Sequence, residues 1–302
     1  GNQSDVIPLS HNYKEFGVYI LHGDSDKVVS VNYARQMRKV LGDFQADFSY
    51  YEYPGGAHWF GNQSVDWKPL FDFFKWHSLP DDSAVNSIDF TTSSPGISAD
   101  YHWISIRQQI HPLQLSNIQL VRNKSKNNIS GTTENIHLLK MELNGVEPNT
   151  DVNIALDNNS LHYVTRSSND SIFLLHENNQ WVIAAKPDSY EKGPQRYGTF
   201  KEAFNHKMIF VYGTSGNREE NEWNFNKAKY DAETWYYRGN GSVDIVPDKE
   251  YSIEKYPGRN VIIYGNTNSN SAWKILRNDC PITVTRSGIK VGNENFTGDD
   301  LG

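Results

Sequence analysis

Apolar positions along the 302-residue chain change their spacing twice, and each change marks a different kind of structure. Up to about residue 80, short apolar runs alternate with helical stripes. Val18-Tyr19-Ile20-Leu21 and Phe48-Ser49-Tyr50-Tyr51-Glu52-Tyr53 are short and rich in aromatic or β-branched residues, which predicts strands. Between them Tyr33, Ala34, Met37, Val40 and Leu41 recur at helical spacing, with Arg35, Arg38 and Lys39 in the gaps. That period predicts a helix over Val31 to Leu41, stopped by Gly42. A second helix is predicted over Val65 to His77, where Trp67, Leu70, Phe71, Phe73 and Phe74 form a wide apolar face. Leu79-Pro80-Asp81-Asp82 then reads as a linker.

From about Asn86 to Lys186 the period drops to two. Ile104 and Ile106 flank Ser105, and Leu139, Met141 and Leu143 alternate with Lys140 and Glu142. Polar turns, as at Asn123 to Gly131 and Asp157 to Ser160, separate such stretches, which predicts an antiparallel sandwich. From Gly193 onward the pattern changes again. An apolar strand, Met208 to Tyr212, runs into Gly213-Thr214-Ser215-Gly216-Asn217. A helix follows with Phe225, Ala228, Ala232, Trp235 and Tyr236 on one stripe. Val243 to Val246 and Asn260 to Tyr264 are further strands, before a short helix through Ala272, Trp273, Ile275 and Leu276. Strands alternating with helices predict a parallel, Rossmann-like sheet. The expected fold class is multi-domain α/β plus β, with domains at 1–80, 81–190 and 191–302.

Composition narrows the function classes only modestly. A net charge of −7 argues against a nucleic-acid binder held by a basic surface. One cysteine, Cys280, excludes an intrachain disulfide. No apolar run is long enough to span a bilayer as a helix. Aromatic residues make up 13% of the chain, which suits β-rich cores or a carbohydrate-facing surface. The sequence points to no cofactor and no metal: His11, His102, His111, His137, His162, His176 and His206 show no metalloprotease spacing. Gly213 to Asn217 sits where backbone amides cradle anions, but it lacks G-x-G-x-x-G and the P-loop lysine, so a tight strand-to-helix turn is expected. Asn-x-Ser/Thr sequons such as those at Asn62, Asn158 and Asn295 are expected from chance in so asparagine-rich a chain.

Candidate chemistry gathers in the first segment. His22-Gly23-Asp24-Ser25-Asp26-Lys27-Val28-Val29 follows the first strand, and Gly55-Gly56-Ala57-His58 follows the second. Strand, loop carboxylate, helix, strand, loop histidine delivers an acid and an imidazole to one edge of a parallel sheet, the edge where open α/β sheets bind ligands. A carboxylate fixing the tautomer of a histidine base is the division of labour in a Ser–His–Asp triad. The alternatives are that Asp26 caps the helix starting near Val31 and that His58 is a surface-loop histidine. Asp24 is expected to hydrogen-bond within its turn, and His22 to act structurally. Trp59 and Phe60 either line a substrate pocket or pack beside the loop.

This arrangement resembles the carboxyl-terminal part of a prolyl oligopeptidase-like serine hydrolase, over roughly Val18 to His77. In that family the H-G-x-x-D-x-x-V loop supplies the triad acid and the loop after the next strand supplies the histidine. The resemblance thus implies Asp26 as the orienting acid, His58 as general acid and base, and a partial α/β-hydrolase sheet in residues 1–80. Triad order in this fold is Ser, then Asp or Glu, then His, with the serine in a G-x-S-x-G elbow. No such elbow occurs here. Gly213-Thr214-Ser215-Gly216 has the wrong spacing and follows the histidine. The expectation is therefore a fragment of a peptidase or esterase whose serine lies ahead of Gly1, inactive or nearly so alone.

Two other functions stay open: a non-catalytic binding or assembly module for a glycan, substrate or partner subunit, and a polysaccharide-directed carboxylesterase. Implied partners are a peptide or ester substrate and, through a bare sheet edge, a second copy of the chain. The later region resembles an accessory α/β module that follows the hydrolase in some large bacterial proteins. Gly193-Pro194 through Phe204 and the strand-turn at Ile282 to Val291 carry that likeness, which implies a periplasmic or secreted bacterial protein. Asp299-Asp300-Leu301-Gly302 provide no closing element, so more chain is expected beyond them.

Overall fold

The computed structural model describes residues 6–189, 191–198, 200–204, 206–276 and 280–298, and it divides into two compact units, Gly1–Tyr197 and Gly198–Gly302. It is a mixed α/β protein dominated by strands in several sheets. The expectation about Asp299 to Gly302 falls outside the described residues.

The first unit begins with a strand–helix–strand layer. Strand β1 (Val18–Gly23), helix α1 (Val31–Leu41) and strand β2 (Phe48–Tyr53) match the predicted spans to within two residues. The strands pair in parallel, Val18 opposite Phe48 through Gly23 opposite Tyr53, so their carboxyl ends finish level. Ser30 caps α1 by accepting from the Asn32 amide, and Ala34 and Leu41 are buried. On the α1 side, Arg35 grips Glu52 with two hydrogen bonds of 2.9 and 2.7 Å, and Arg38 lies over the Tyr50 ring. The Arg35 guanidinium and the Tyr50 hydroxyl together hold the Glu52 carboxyl down at about 2.

Helix α2 (Lys68–Lys75) covers the opposite face, with Phe73 against Tyr19, and Trp67 stacked on Tyr51 and donating to the Tyr19 hydroxyl. It is shorter than the predicted Val65 to His77. Pro69 sits in its first turn, and a separate 3-10 turn, Gly61–Ser64, precedes it. Only half of the expected apolar face is used: Trp67, Leu70 and Phe73 are half-buried, whereas Phe71, Phe74 and Trp76 stand exposed.

A sandwich follows within the same unit. Its strands are β3 (Ser87–Thr92), β4 (Asp100–Tyr101), β5 (Ile104–Gln108), β6 (Ser116–Asn123), β7 (Asn128–Glu134), β8 (Leu138–Glu142), β9 (Asp151–Leu156), β10 (Asn159–Val164), β11 (Ser171–Glu177) and β12 (Gln180–Ala184). They form two five-stranded sheets, ordered β10-β9-β7-β6-β3 and β12-β11-β8-β5-β4. All pairings are antiparallel except β7 with β9, which run parallel, so the predicted antiparallel sandwich needs that one correction. Strand β8 intervenes in sequence but joins the other sheet, so β9 returns beside β7 in the same direction. Period-two alternation places Ile118, Leu120, Ile154 and Leu156 from one sheet against Ile106, Leu139, Met141 and Leu174 from the other, all essentially inaccessible. Trp103 and Trp181 fill the remaining volume.

The strand–helix–strand layer leans on this sandwich. The Asn12 amide donates to the Thr91 carbonyl and accepts from the Thr91 amide, both at 2.8 Å, so one side chain pairs with edge strand β3 as a backbone would. His11 bonds Asp89 beside it. The expected linker is tied down as well: Arg122, stacked over Trp103, donates to the carbonyls of Asp82 and Val85.

In the second unit, β13 (Met208–Tyr212) lies between β14 (Asp244–Pro247) and β15 (Asn260–Tyr264), all parallel, as the alternation predicts. Helix α3 (Arg218–Gly239) packs on the sheet through Ala228, Ala232 and Trp235. Phe225, on the same stripe, is 42% exposed with its ring against Tyr212 of β13, whereas Tyr236 is exposed. A helix this long turns its stripe away from a three-stranded sheet before its end. Helix α4 (Ala272–Leu276) is followed by β16 (Ile282–Val284), β17 (Gly288–Val291) and β18 (Glu294–Thr297), so the expected strand-turn is a three-stranded antiparallel meander.

Ile154 is fully buried between the two sheets, whereas Phe74 is 59% exposed. Ile154→Ala is expected to cost about 2–5 kcal/mol, and Phe74→Ser to change stability by no more than about 0.5 kcal/mol. Urea midpoints of the two variants check the contrast.

Candidate active site

The loop after β1 and the loop after β2 are held together by backbone. The Ser25 amide donates to the Gly56 carbonyl at 2.9 Å, and the Gly55 amide donates to Asp24 Oδ1 at 2.7 Å. A Cβ on Gly23 would strike the Gly56 carbonyl, so this approach requires glycine there. Gly55 adopts φ +69°, the left-handed turn that releases the chain toward His58. Asp24 is thus the clasp between the loops, a role beyond the bond within its own turn that the sequence suggested, which it accepts from the Ser25 hydroxyl.

Asp26 and His58 meet across this clasp. Asp26 Oδ2 lies 3.0 Å from His58 Nδ1. Its other oxygen, Oδ1, accepts from the amides of Val28 and Val29 at 2.8 and 2.9 Å, and the carboxylate side chain is only 6% exposed. Burial pushes the carboxyl upward, but the Val29 amide, the His58 ring and the Val28 amide outweigh it and hold the group at about 2. The helix-capping role belongs to Ser30 instead. With an ionised carboxylate facing Nδ1, that nitrogen carries the proton and Nε2 is left with its lone pair. Nε2 makes no hydrogen bond among the described residues, and the ring is 40% exposed. His22 closes the acid loop from behind: its Nε2 is 3.0 Å from the Val29 carbonyl and 3.5 Å from Asp26 Oδ2.

Phe60 stacks on Tyr53 with ring centroids 4.6 Å apart, which makes it packing for the loop. Trp59 sits edge-on to His58 and is 72% exposed, so it flanks the imidazole on the solvent side.

Two further features were not legible in the sequence. At the carboxyl edge of the second unit's sheet, the buried Asp248 accepts from the amide and hydroxyl of Thr214, the hydroxyl of Ser215 and the amide of Ser271. Burial raises its carboxyl, and these donors, led by the Ser271 amide, bring it below the ordinary carboxylate value. The strand-to-helix turn therefore already holds an anion of its own. Asn217 and Glu220 form a capping box at the start of α3, locked by two hydrogen bonds from Arg286. The signal for Asp248 was an acid directly after an apolar strand, which polar loops elsewhere imitate.

The second feature is a cavity of about 280 Å³ at one end of the sandwich, lined in part by Arg122, Asn128, Asn144, Glu147, Ile129 and Val152.

No family model matches the chain, and no solved structure matches it. It is similar to an uncharacterized secreted protein of Arthroderma benhamiae, with 24% identity over 195 residues, covering 63% of this chain and 20% of the relative. The match thus spans about a fifth of that protein's length. The bacterial setting expected from the accessory-module resemblance finds no support in this fungal relative.

Nitrogen NMR of the histidine rings is expected to show His58 with its neutral-state proton on Nδ1, and Asp26→Asn to abolish that preference. Because the folded carboxyl titrates at about 2, below the ordinary 3.8, its support of the loop pair is fully present above pH 4 and fades as pH falls toward 2. A carboxyl-carbon titration that placed Asp26 at or above the ordinary value would contradict this.

Proposed function

We propose that the chain supplies the acid and base of a Ser–His–Asp hydrolase of the prolyl oligopeptidase-like kind, acting on a peptide or an ester. The observation that carries the reading is the 3.0 Å contact between Asp26 Oδ2 and His58 Nδ1, made by consecutive loops at the carboxyl edge of a parallel strand pair, with Nε2 facing outward. In this role Asp26 fixes the tautomer and steadies the imidazolium. His58 takes a proton from an alcohol through Nε2 and returns it to the leaving group. Trp59 flanks the acyl group's approach.

The alcohol comes from outside these 302 residues, since the sequence has no G-x-S-x-G elbow. The strand pair is consistent with such a donor. Among the described residues β1 and β2 pair only with each other, so the outer edge of β1 is open to a further parallel strand. Phe71, Phe74, Trp76 and Leu79 are exposed on α2 and just after it, apolar surface of the kind that marks an interaction site. A second copy of the chain is the other occupant that edge admits. Secretion of the relative supports export of this chain as well.

A binding role has one observation in its favour, the cavity at the end of the sandwich beside the buried guanidinium of Arg122. The sandwich offers no broad aromatic platform for a glycan, because Phe90, Tyr101, Trp103 and Trp181 lie in its core. A polysaccharide-directed carboxylesterase would use the same acid and base with a different pocket.

The purified chain alone is expected to show no turnover of activated esters, for want of a nucleophile and an oxyanion hole. Joined to an α/β-hydrolase segment that carries a G-x-S-x-G serine ahead of β1, it should react with a fluorophosphonate probe and hydrolyse esters. In that form His58→Ala should lower kcat on the order of 10⁶-fold, and Asp26→Asn about 10⁴-fold. Ester turnover by the chain alone that His58→Ala abolishes would defeat the division of labour proposed here. A joined protein unaffected by either substitution would defeat the catalytic assignment.

A further inference from the structure

We infer that the chain is an N-glycosylated protein whose acceptors are Asn62, Asn158, Asn169, Asn240 and Asn295; this rests on the export reading given above. The sequence holds eight Asn-x-Ser/Thr sequons, at Asn2, Asn62, Asn123, Asn128, Asn158, Asn169, Asn240 and Asn295. Its 31 asparagines and 40 serines and threonines would give about four by chance, so asparagine richness alone accounts for half of them.

The structure sorts these sequons. A glycan is bulky and hydrated, so its asparagine must lie on the surface with a side chain that the fold does not hold. Asn62 is exposed in the 3-10 turn between His58 and α2. Asn158 is exposed in the hairpin turn between β9 and β10, and Asn169 in the turn leading into β11. Asn240 caps the carboxyl end of α3 in the left-handed conformation, pointing the chain away from the helix. Asn295 lies on β18, the edge strand of its meander, with all four residues exposed. Among the described residues none of these five side chains hydrogen-bonds to protein.

The other two described sequons differ. Asn123 is exposed, but its Oδ1 accepts from the Lys126 amide and the Ser125 hydroxyl. Asn128 is half-buried at the start of β7, with its Oδ1 accepting from Asn153 at 2.6 Å. A glycan on Asn128 would take Nδ2 and leave that Oδ1 contact formed, but it would crowd Asn153 on the paired strand β9, so the folded chain disfavours it.

The five acceptors sit at turns, at a helix end and on an edge strand, where added mass disturbs neither a ladder nor a core. On β18 a glycan would also block edge-to-edge pairing. The reaction needs a polyisoprenyl diphosphate-linked oligosaccharide as co-substrate. The asparagine Nδ2 bonds to the sugar C1 as the C1–oxygen bond to the diphosphate breaks, the amide nitrogen gives up one proton, and the lipid diphosphate leaves. No electrons are exchanged with a redox partner.

The test directs the full chain into the yeast secretory pathway behind a heterologous leader. Peptide-N-glycosidase treatment in heavy-oxygen water then marks each glycosylated asparagine as labelled aspartate. Marks at the five asparagines in most molecules, none at Asn128, and loss of a single mark with each Asn→Gln variant are expected. A secreted, folded chain with no marks, or with its marks at Asn128, would overturn the inference. Export is read separately, by locating the native protein in culture fluid or cells. Native protein in the fluid but bare of glycans overturns the modification and leaves export standing. Native protein confined to cells, with the leader-directed chain fully marked, overturns export and leaves the acceptor geometry standing.

Discussion

Two loops pass so close at Gly23 and Gly56 that no side chain fits between them, and the candidate site exists because of that approach. Parallel pairing of β1 with β2 brings the strand ends level. The Ser25–Gly56 and Asp24–Gly55 contacts then fix the spacing of the loops, and only with that spacing set do Asp26 and His58 come within 3.0 Å. Asp26 is further immobilised by two backbone amides, and His22 secures the carbonyl at the end of the same turn. The acid is therefore pre-organised by main chain, which does not titrate, rather than by a second charged side chain. A carboxylate held this way keeps its charge through the physiological range and keeps the imidazole in one tautomer.

The strand–helix–strand layer and the sandwich solve the burial problem to different degrees. The sandwich closes on itself: two sheets face each other, their alternation is complete, and both tryptophans are inside. The two-stranded layer has helices on both faces but too little sheet to cover them. One side of α2 is consequently left in water, with Phe71, Phe74 and Trp76 exposed. What anchors the layer is Phe16 packed beside Tyr101 and His102 on the sandwich core, together with a few polar contacts, namely the Asn12 amide on Thr91, His11 on Asp89 and Arg122 on the chain at Asp82 and Val85. Such anchors set position precisely enough for a site, yet they leave apolar surface for something else to cover.

Much of this was legible in the chain. Helix α1, strand β2 and the parallel order of the second unit follow from period and punctuation, because amphipathic spacing and glycine stops act locally. The same reasoning overran at α2, where Pro69 delays the start of the helix, and at α3, where Tyr236 keeps helical spacing but runs off the sheet. It also missed the parallel β7–β9 pair, since alternation says which face a residue takes and nothing about which neighbour its strand finds.

By itself, the order of residues determined the elements, their sequence along the chain, and the identity of an acid and an imidazole on successive loops. Only the tertiary structure decided that Asp26 comes within 3.0 Å of His58, that Asp248 fills the anion cradle of the second sheet, and that Asn128 is tied to Asn153 on the neighbouring strand. The physical reason is common to these three. Local propensity depends on neighbours a few residues away, whereas the partner of a carboxylate or an amide is set by backbones that meet after more than twenty residues of intervening chain.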